Sequence, residues 1–336
     1  MCMRGQETDD EVSDSGEEKL PIVFCKEYNV RFCGIERLVS TNTAAAKGDG
    51  IFRRLCEEDF IRESSVHRPR KEISRQELKV VHTKRYLNSL RWSVNVAKIT
   101  EVPILLLLPI FCVERGYLRP MRFQTAGSLM AGDLALRHGW AINLGGGFHH
   151  CSGNRGGGFC AYADISLLIK RLLGSPHGVR RVMIVDLDAH QGNGHERDFM
   201  DDERVFIMDM YNASIYPRDK EAKVAIRRKV ELHPYTQDRE YLHKLRSNLD
   251  AALAEFPPDV IIYNAGTDIL DGDPLGALSV SPEGVILRDE EVFKRAIRAN
   301  IPIVMLLSGG YLRSAASVIA NSVLNLSAKG LLPRRH

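Results

Sequence analysis

The sequence predicts a single doubly wound α/β domain whose mostly parallel sheet is flanked by helices, and three observations predict it. Short apolar runs rich in Val and Ile recur along the chain, segments of helical periodicity separate them, and no repeat or linker divides the chain after residue 20. Unbroken runs such as Val182-Met183-Ile184-Val185 suit strands covered on both faces, which is the habit of a parallel sheet. Strand–helix alternation with right-handed crossovers then gives the doubly wound arrangement. A chain of 336 residues is long enough to bury the core this requires.

Taken in order, residues 1–19 are acidic and polar (Glu7, Asp9, Asp10, Glu11, Asp14, Glu17, Glu18) and read as a disordered tail, not a signal peptide. The domain is expected over 20–330, with a short tail at 331–336. Strands are expected at residues 22–25, 104–109, 141–144, 181–187, 205–209, 260–264 and 301–307. Before the third of these, Ala126, Leu129, Met130 and Leu134 share one helical face. After the last, Ala315, Val318, Ile319, Ser322, Val323 and Leu326 do the same. In such a sheet ligands bind beyond the carboxyl ends of the strands, so polar residues just after the strand runs are the candidates for function.

The bulk numbers exclude several classes. A net charge of +3, from 46 basic and 43 acidic residues, carries no footprint of direct nucleic-acid binding. The seven cysteines form no CxxC pair, so neither a disulfide framework nor a thiolate zinc knuckle is indicated, and a reducing compartment fits: nucleus, cytoplasm or both. The most apolar run, 102–113, is too short to span a bilayer. The basic stretch His67-Arg68-Pro69-Arg70-Lys71 reads as a solvated loop before it reads as a nuclear-entry signal.

Four strand ends, read in three blocks, carry chemistry. In Val185-Asp186-Leu187-Asp188-Ala189-His190, Asp188 and His190 sit two apart in an extended segment, so both side chains point the same way. Downstream, Asn264-Ala265-Gly266-Thr267-Asp268 closes another strand. Two carboxylates and one imidazole with a position left open suit a catalytic zinc, and the oxygen content would also accept iron(II) or manganese. Asp186 alone reads equally well as a helix cap.

The second block, Gly145-Gly146-Gly147-Phe148-His149-His150, sets tandem histidines after a strand and three glycines, beside a further run, Gly156-Gly157-Gly158-Phe159. The lysine and hydroxyl of a phosphate-binding loop are missing, and histidine is the natural acid–base at neutral pH. The third, Ser308-Gly309-Gly310-Tyr311, aims a phenol into a cleft where it can donate to a developing oxyanion, although Tyr311 taken alone reads as a packed aromatic. Cys151 and Cys160 flank these blocks and read as small packed residues.

The segments 145–150, 157–160, 186–194, 265–268 with Asp273-Pro274-Leu275-Gly276, and 308–311 resemble, in order, the active-site motifs of arginase-fold histone deacetylases. The run from Asp188 to Phe199, the Ser-Gly-Gly-Tyr loop and Val81-His82-Thr83-Lys84-Arg85-Tyr86-Leu87 are similar to the class IV group, the histone deacetylase 11-like proteins. The resemblance implies one Zn²⁺ held by Asp188, His190 and Asp268. It implies His150 as general base and later acid, His149 as its electrostatic partner, and Tyr311 as donor to the carbonyl oxygen. Asp186 would pair with His149, and Asn193 would face His150. Gly158, Phe159, Tyr216, Leu275, Gly309 and Gly310 would contact substrate. A K⁺ site would draw on Asp186, Asp188, His190, Asp209 and Met210.

The implied reaction is hydrolysis of Nε-acyl-lysine in protein substrates such as histone tails, within a corepressor complex, with longer fatty acyl groups compatible. Two other readings stand beside it: a small-molecule deacetylase of the acetylpolyamine type, and a non-catalytic acyl-lysine-binding corepressor subunit. A two-metal ureohydrolase is disfavoured because Gly192 and Gly266 stand where bridging acids are needed. The chain departs from the family at 39–44, where Val39-Ser40-Thr41-Asn42-Thr43-Ala44 replaces a His-Pro turn. That departure bears on the inner channel and not on the implied ligands.

Overall fold

The strands lie where the Val/Ile runs are, with two exceptions, one expected strand that is absent and one strand that was not expected. The computed structural model describes residues 19–31 and 47–333. The acidic tail through residue 18, Cys2, Cys33 and the 39–44 segment therefore lie outside the described residues. The strands are β1 Ile22–Val23, β2 Trp140–Asn143, β3 Val182–Asp186, β4 Val205–Asn212, β5 Arg228–Leu232, β6 Val260–Asn264 and β7 Ile303–Leu306. They form one sheet of order β1-β2-β7-β6-β3-β4-β5, and every described pairing is parallel.

Each central strand sends alternate residues to opposite layers. Val182 and Ile184 join one apolar cluster while Met183 and Val185 join another, because side chains along a strand alternate between its faces. The face of Met183 and Val185 is covered by helices α1 Lys47–Glu57, α6 Asp238–Glu255, α7 Pro282–Arg298 and α8 Ala315–Ala328, and the face of Val182 and Ile184 by α3 Arg119–His138 and α4 Asp164–Leu173. A third cluster, including Tyr86, Ile99, Tyr117, Phe148 and Tyr162, packs the short helices around α2 Ser93–Thr100 against the loop that follows β2. The short helix α5 Asn193–Asp198 follows β3.

Four readings of the sequence need correction. Residues 104–109 are no strand: Pro103–Leu107 form a 3₁₀ helix, with Leu106 and Leu107 exposed. A short apolar run has no periodicity to separate helix from strand, and Pro103 pre-sets the first helical φ. Strand β5 was not expected, because Arg228-Lys229-Val230-Glu231-Leu232 alternates polar and apolar, as an edge strand half open to water does. On α3 the inward face belongs to Ser128, Ala131, Leu134 and Ala135, while Ala126, Leu129 and Met130 are only partly buried. In the basic stretch, His67 is buried: its N–H donates to the Ile22 carbonyl at 2.8 Å, extending the sheet edge beside β1, and Arg68 and Lys71 stay exposed. The helix after β7 agrees with expectation, all six named residues being buried on α8. At the other end of the chain, Leu331 and Leu332 pack on the core and the Trp140 indole donates to the Pro333 carbonyl at 2.8 Å.

Candidate active site

Strand order decides which loops meet. Strands β2, β7, β6 and β3 are neighbours, so the loops after all four open at one edge of the sheet. Register aligns them further: Asp186 of β3 lies level with Asn264 of β6 and with Asp209 of β4. Just beyond, Asp188, His190 and Asp268 converge, with ligand atoms within 4.8 Å of one another. His190 Nδ1 lies 3.1 Å from Asp188 Oδ1 and 2.8 Å from Asp268 Oδ2.

Backbone donors hold both carboxylates. The Gly309 N–H donates to Asp188 Oδ2 at 2.8 Å, and the Ala189 N–H donates to Asp268 Oδ1 at 2.9 Å. The space is closed to side chains: a Cβ on Gly266 would stand 2.2 Å from Asp188 Oδ2, and one on Gly309 would stand 2.5 Å from Asp268 Oδ2.

The tandem histidines face this cluster. His149 Nδ1 donates to Asp186 Oδ2 at 3.0 Å, and His150 Nδ1 meets Asn193 Oδ1 at 2.9 Å. Their rings lie 4.1 Å apart, and the His150 ring is 5.8 Å from that of His190. Burial opposes the charged form of His149, but Asp188 and Asp186 outweigh it and hold its pKa up at about 9. At His150 burial, then the neighbouring His149 and His190, push the pKa well below the usual value. One imidazole is thus kept charged and the other neutral.

Tyr311 reaches the same cavity, of about 140 Å³, together with His149, His150, Gly158, Phe159, Asp188 and Gly309. Its N–H donates to Asp273 Oδ2 at 2.8 Å, which ties the Asp273-Pro274-Leu275-Gly276 turn to the Ser-Gly-Gly-Tyr loop. The Phe159 ring lies 5.9 Å from that of Tyr311, and the half-exposed Tyr216 sets its ring edge-on to His150 at 4.9 Å. Leu275 is exposed and Gly310 packs against Thr267, so neither lines the cavity directly. Asp209 is buried on β4 with Oδ2 accepting from the Gly192 N–H at 2.9 Å, and Met210 packs its side chain into the core. Cys151 and Cys160 are buried thiols whose pKa burial pushes up.

Residues 42–327 match the family model described as the histone deacetylase domain. "Histone deacetylase 2" of Arabidopsis thaliana is 50% identical over 321 residues, covering 94% of this chain and 81% of that protein. The chain belongs to the histone deacetylase family. Its chemistry class is accordingly that of a deacetylase, an amide hydrolase. The "Acetoin utilization protein AcuC" of Staphylococcus aureus (strain MRSA252) is 30% identical over 217 residues, covering 59% of this chain and 54% of that protein. The fold is shared with the crystal structure of the HDA15 HD domain at a TM-score of 0.73 and 19% identity, covering 94% and 90% of the two chains.

A deacetylase-family site implies a bound divalent ion, and the residues present fit one. Two buried carboxylates and an imidazole crowd one point, glycines keep Cβ atoms out of it, and uncompensated buried carboxylates are costly. The apo charge pattern says the same. Burial opposes a charged His190, yet the two carboxylates raise its pKa to about 10, while burial and Asp188 raise Asp268 to about 6. A proton on His190 Nδ1 thus serves as the cation when no metal is bound.

Metal loading must displace that proton. We expect about one proton released per ion between pH 7 and 9, with affinity rising as pH rises through that window. Calorimetric titration of the metal in buffers of different ionisation enthalpy checks this; proton-neutral binding would contradict it.

Supporting residues escaped the sequence reading. The buried Lys47 ammonium donates to the carbonyls of Ser308 at 2.6 Å and Gly309 at 2.5 Å; burial lowers its pKa to about 8. Asp164 accepts from the Gly147 N–H at 2.9 Å and the Phe148 N–H at 2.7 Å, anchoring the loop that carries both histidines. His195 Nε2 donates to Asp186 Oδ2 at 2.7 Å. His82 accepts from the Ala163 N–H at 3.1 Å and lies 3.3 Å from the Gly153 carbonyl, clamping the segment that presents Phe159.

Proposed function

We propose that this chain hydrolyses the Nε-acyl amide of lysine in protein substrates such as histone tails, with one Zn²⁺ held by Asp188, His190 and Asp268. The observation that carries the reading is the convergence of His149, held by Asp186, His150, held by Asn193, and Tyr311 on one cavity beside a buried metal-ligand cluster. A zinc ion there, when bound, supplies a Lewis acid that polarises the acyl carbonyl and acidifies water.

The chain's own groups do the rest. Asn193 Oδ1 accepts the Nδ1 proton of His150, which leaves Nε2 as the base that takes a proton from water. The Tyr311 phenol, whose pKa burial and then Asp268 and Asp188 push up, stays protonated and donates to the carbonyl oxygen as negative charge develops on it. His150 then returns its proton to the departing lysine amine. His149, fixed by Asp186, supplies positive charge beside the reacting centre. Gly158, Phe159 and Gly309 line the cavity that would take the lysine stem, Tyr216 stands edge-on to His150, and Leu275 and Gly310 would act from outside the lining.

Longer acyl groups are supported by the cavity's inner wall, which continues to Tyr28, Val30, Met121 and Leu144. Class IV kinship is supported by the Asp188–Phe199 run and the Ser308-Gly309-Gly310-Tyr311 loop. For K⁺ beside Asp186, Asp188, His190 and Met210, the support is the buried Asp209 carboxyl, crowded by the carboxyls of Asp186 and Glu196.

Chelation should abolish turnover of acetyl-lysine and long-chain acyl-lysine peptides, and zinc should restore it. Tyr311→Phe should cost about 3 kcal/mol, roughly a hundredfold in kcat, with KM nearly unchanged. Turnover that survives exhaustive chelation would sink the zinc mechanism. Faster cleavage of acetylated polyamines than of any peptide would select the small-molecule reading.

A further inference from the structure

The amide of Asn193 is the one ambiguous part of the acid–base machinery. It has an accepting end and a donating end of almost the same shape, and the end that faces His150 decides where the imidazole proton sits. With Oδ1 toward His150 Nδ1, at 2.9 Å, the proton lies on Nδ1 and Nε2 is a base. With the amide reversed, Nδ2 would donate to Nδ1, the proton would move to Nε2, and the base would be lost.

Asp219 breaks that symmetry. It comes from the loop after β4, and its Oδ2 accepts from Asn193 Nδ2 at 3.2 Å. A carboxylate can only accept, so a reversed amide would set two acceptor oxygens against each other. Asp219 is itself locked. Arg197 donates from Nε to Oδ2 at 2.9 Å and from Nη2 to Oδ1 at 2.6 Å, and the Ala222 N–H donates to Oδ1 at 3.2 Å.

Gln191 closes the clamp. It accepts from the Asp219 N–H at 3.0 Å and donates to the Asp219 carbonyl at 3.0 Å. Asn193 and Arg197 sit one turn apart on α5, so one short helix carries both the ambiguous amide and the counter-charge of its clamp.

We propose that Asp219, held by Arg197 and Gln191, is a positioning residue that fixes the Asn193 amide and thereby keeps the His150 proton on Nδ1. This rests on the reading of His150 as general base. It also accounts for a neutral residue at 193: the carboxylate stands one residue further back, paired with a guanidinium, and orients the imidazole without placing a full negative charge against it.

A double-mutant cycle on the zinc-loaded full chain tests it, with bound zinc measured for every variant. Asp219→Ala should lower kcat roughly tenfold or more, with little change in KM. In an Asn193→Asp background either carboxylate oxygen accepts from His150, so the same Asp219→Ala change should cost less than about twofold. Nitrogen-15 spectra of histidine-labelled protein should show His150 as the Nδ1–H tautomer in the native chain and as a mixture in Asp219→Ala.

Equal losses in both backgrounds, or an unchanged His150 tautomer, would overturn the proposal. Asp219→Ser is the substitute should the alanine variant fold poorly, and the same outcomes decide. The spectra judge Asp219 whether or not the native chain cleaves acyl-lysine peptides, whereas a native chain inactive on all of them would overturn the acyl-lysine reading.

Discussion

Replacing His150 by alanine should lower kcat by about 10²- to 10⁴-fold, with bound metal and KM close to native. The imidazole is buried, touches none of the three clustered ligands as a hydrogen-bond partner, and has its Nδ1 committed to Asn193. Its removal therefore takes away proton transfer and little else. The sign of the pH dependence follows from its surroundings. Burial and the positive charge at His149 disfavour the imidazolium, and in the loaded enzyme a divalent ion held by Asp188, His190 and Asp268 would replace the charge of the His190 proton and act in the same direction. The acid limb of the native kcat/KM profile should accordingly fall below the ordinary histidine range and vanish in the variant. A His150→Ala enzyme within tenfold of native would remove His150 from its role.

Arg288→Met should destabilise the fold by about 3–5 kcal/mol, because it strips the partner from a buried charge. Arg288 and Asp289 are wholly buried on α7 and pair at 2.9 Å. Asp289 also accepts from Ser322 at 2.6 Å and from the Tyr263 hydroxyl. The guanidinium reaches the Gly266 carbonyl, with the Leu187 and Ala265 carbonyls at 3.4 and 3.5 Å. Those carbonyls lie one to three residues from Asp188 and Asp268, so metal affinity should weaken along with stability. Denaturant unfolding of apo and zinc-loaded protein reads both effects. Arg288→Met with Asp289→Leu should recover only part of the loss, since the carbonyls still lack their donor. Native-like unfolding of the single variant would show that the ion pair carries no stability.

The proposed catalytic constellation was legible because its residues sit in local contexts that announce themselves. Asp188 and His190 sit two apart just after an unbroken apolar strand, and His149 and His150 follow three glycines. Their supports had no such context. Lys47 lies in Lys47-Gly48-Asp49 and Arg288 in Leu287-Arg288-Asp289-Glu290, stretches that look like solvated helix surface until α1 and α7 dock on the sheet. Asp219 stands in Tyr216-Pro217-Arg218-Asp219-Lys220, where only the fold's return to α5 gives its carboxylate a purpose. The misread 104–109 segment and the missed β5 have a related cause: a short apolar run has no period, and an edge strand of Arg, Lys and Glu has too few apolar residues to show one.

The proposed ligand and acid–base roles rest on the resemblance of these segments to the deacetylase motifs; the amino-acid order alone determined the layered α/β plan and the four strand ends at which chemistry-bearing residues gather. These follow from periodicities and spacings that act over fewer than about ten residues. Only the tertiary structure decided which strand ends are neighbours, which polar side chains lose their water, and which histidine is charged. Those outcomes depend on electrostatics and desolvation between segments as much as 262 residues apart, as Lys47 and Gly309 are, and no local pattern encodes them.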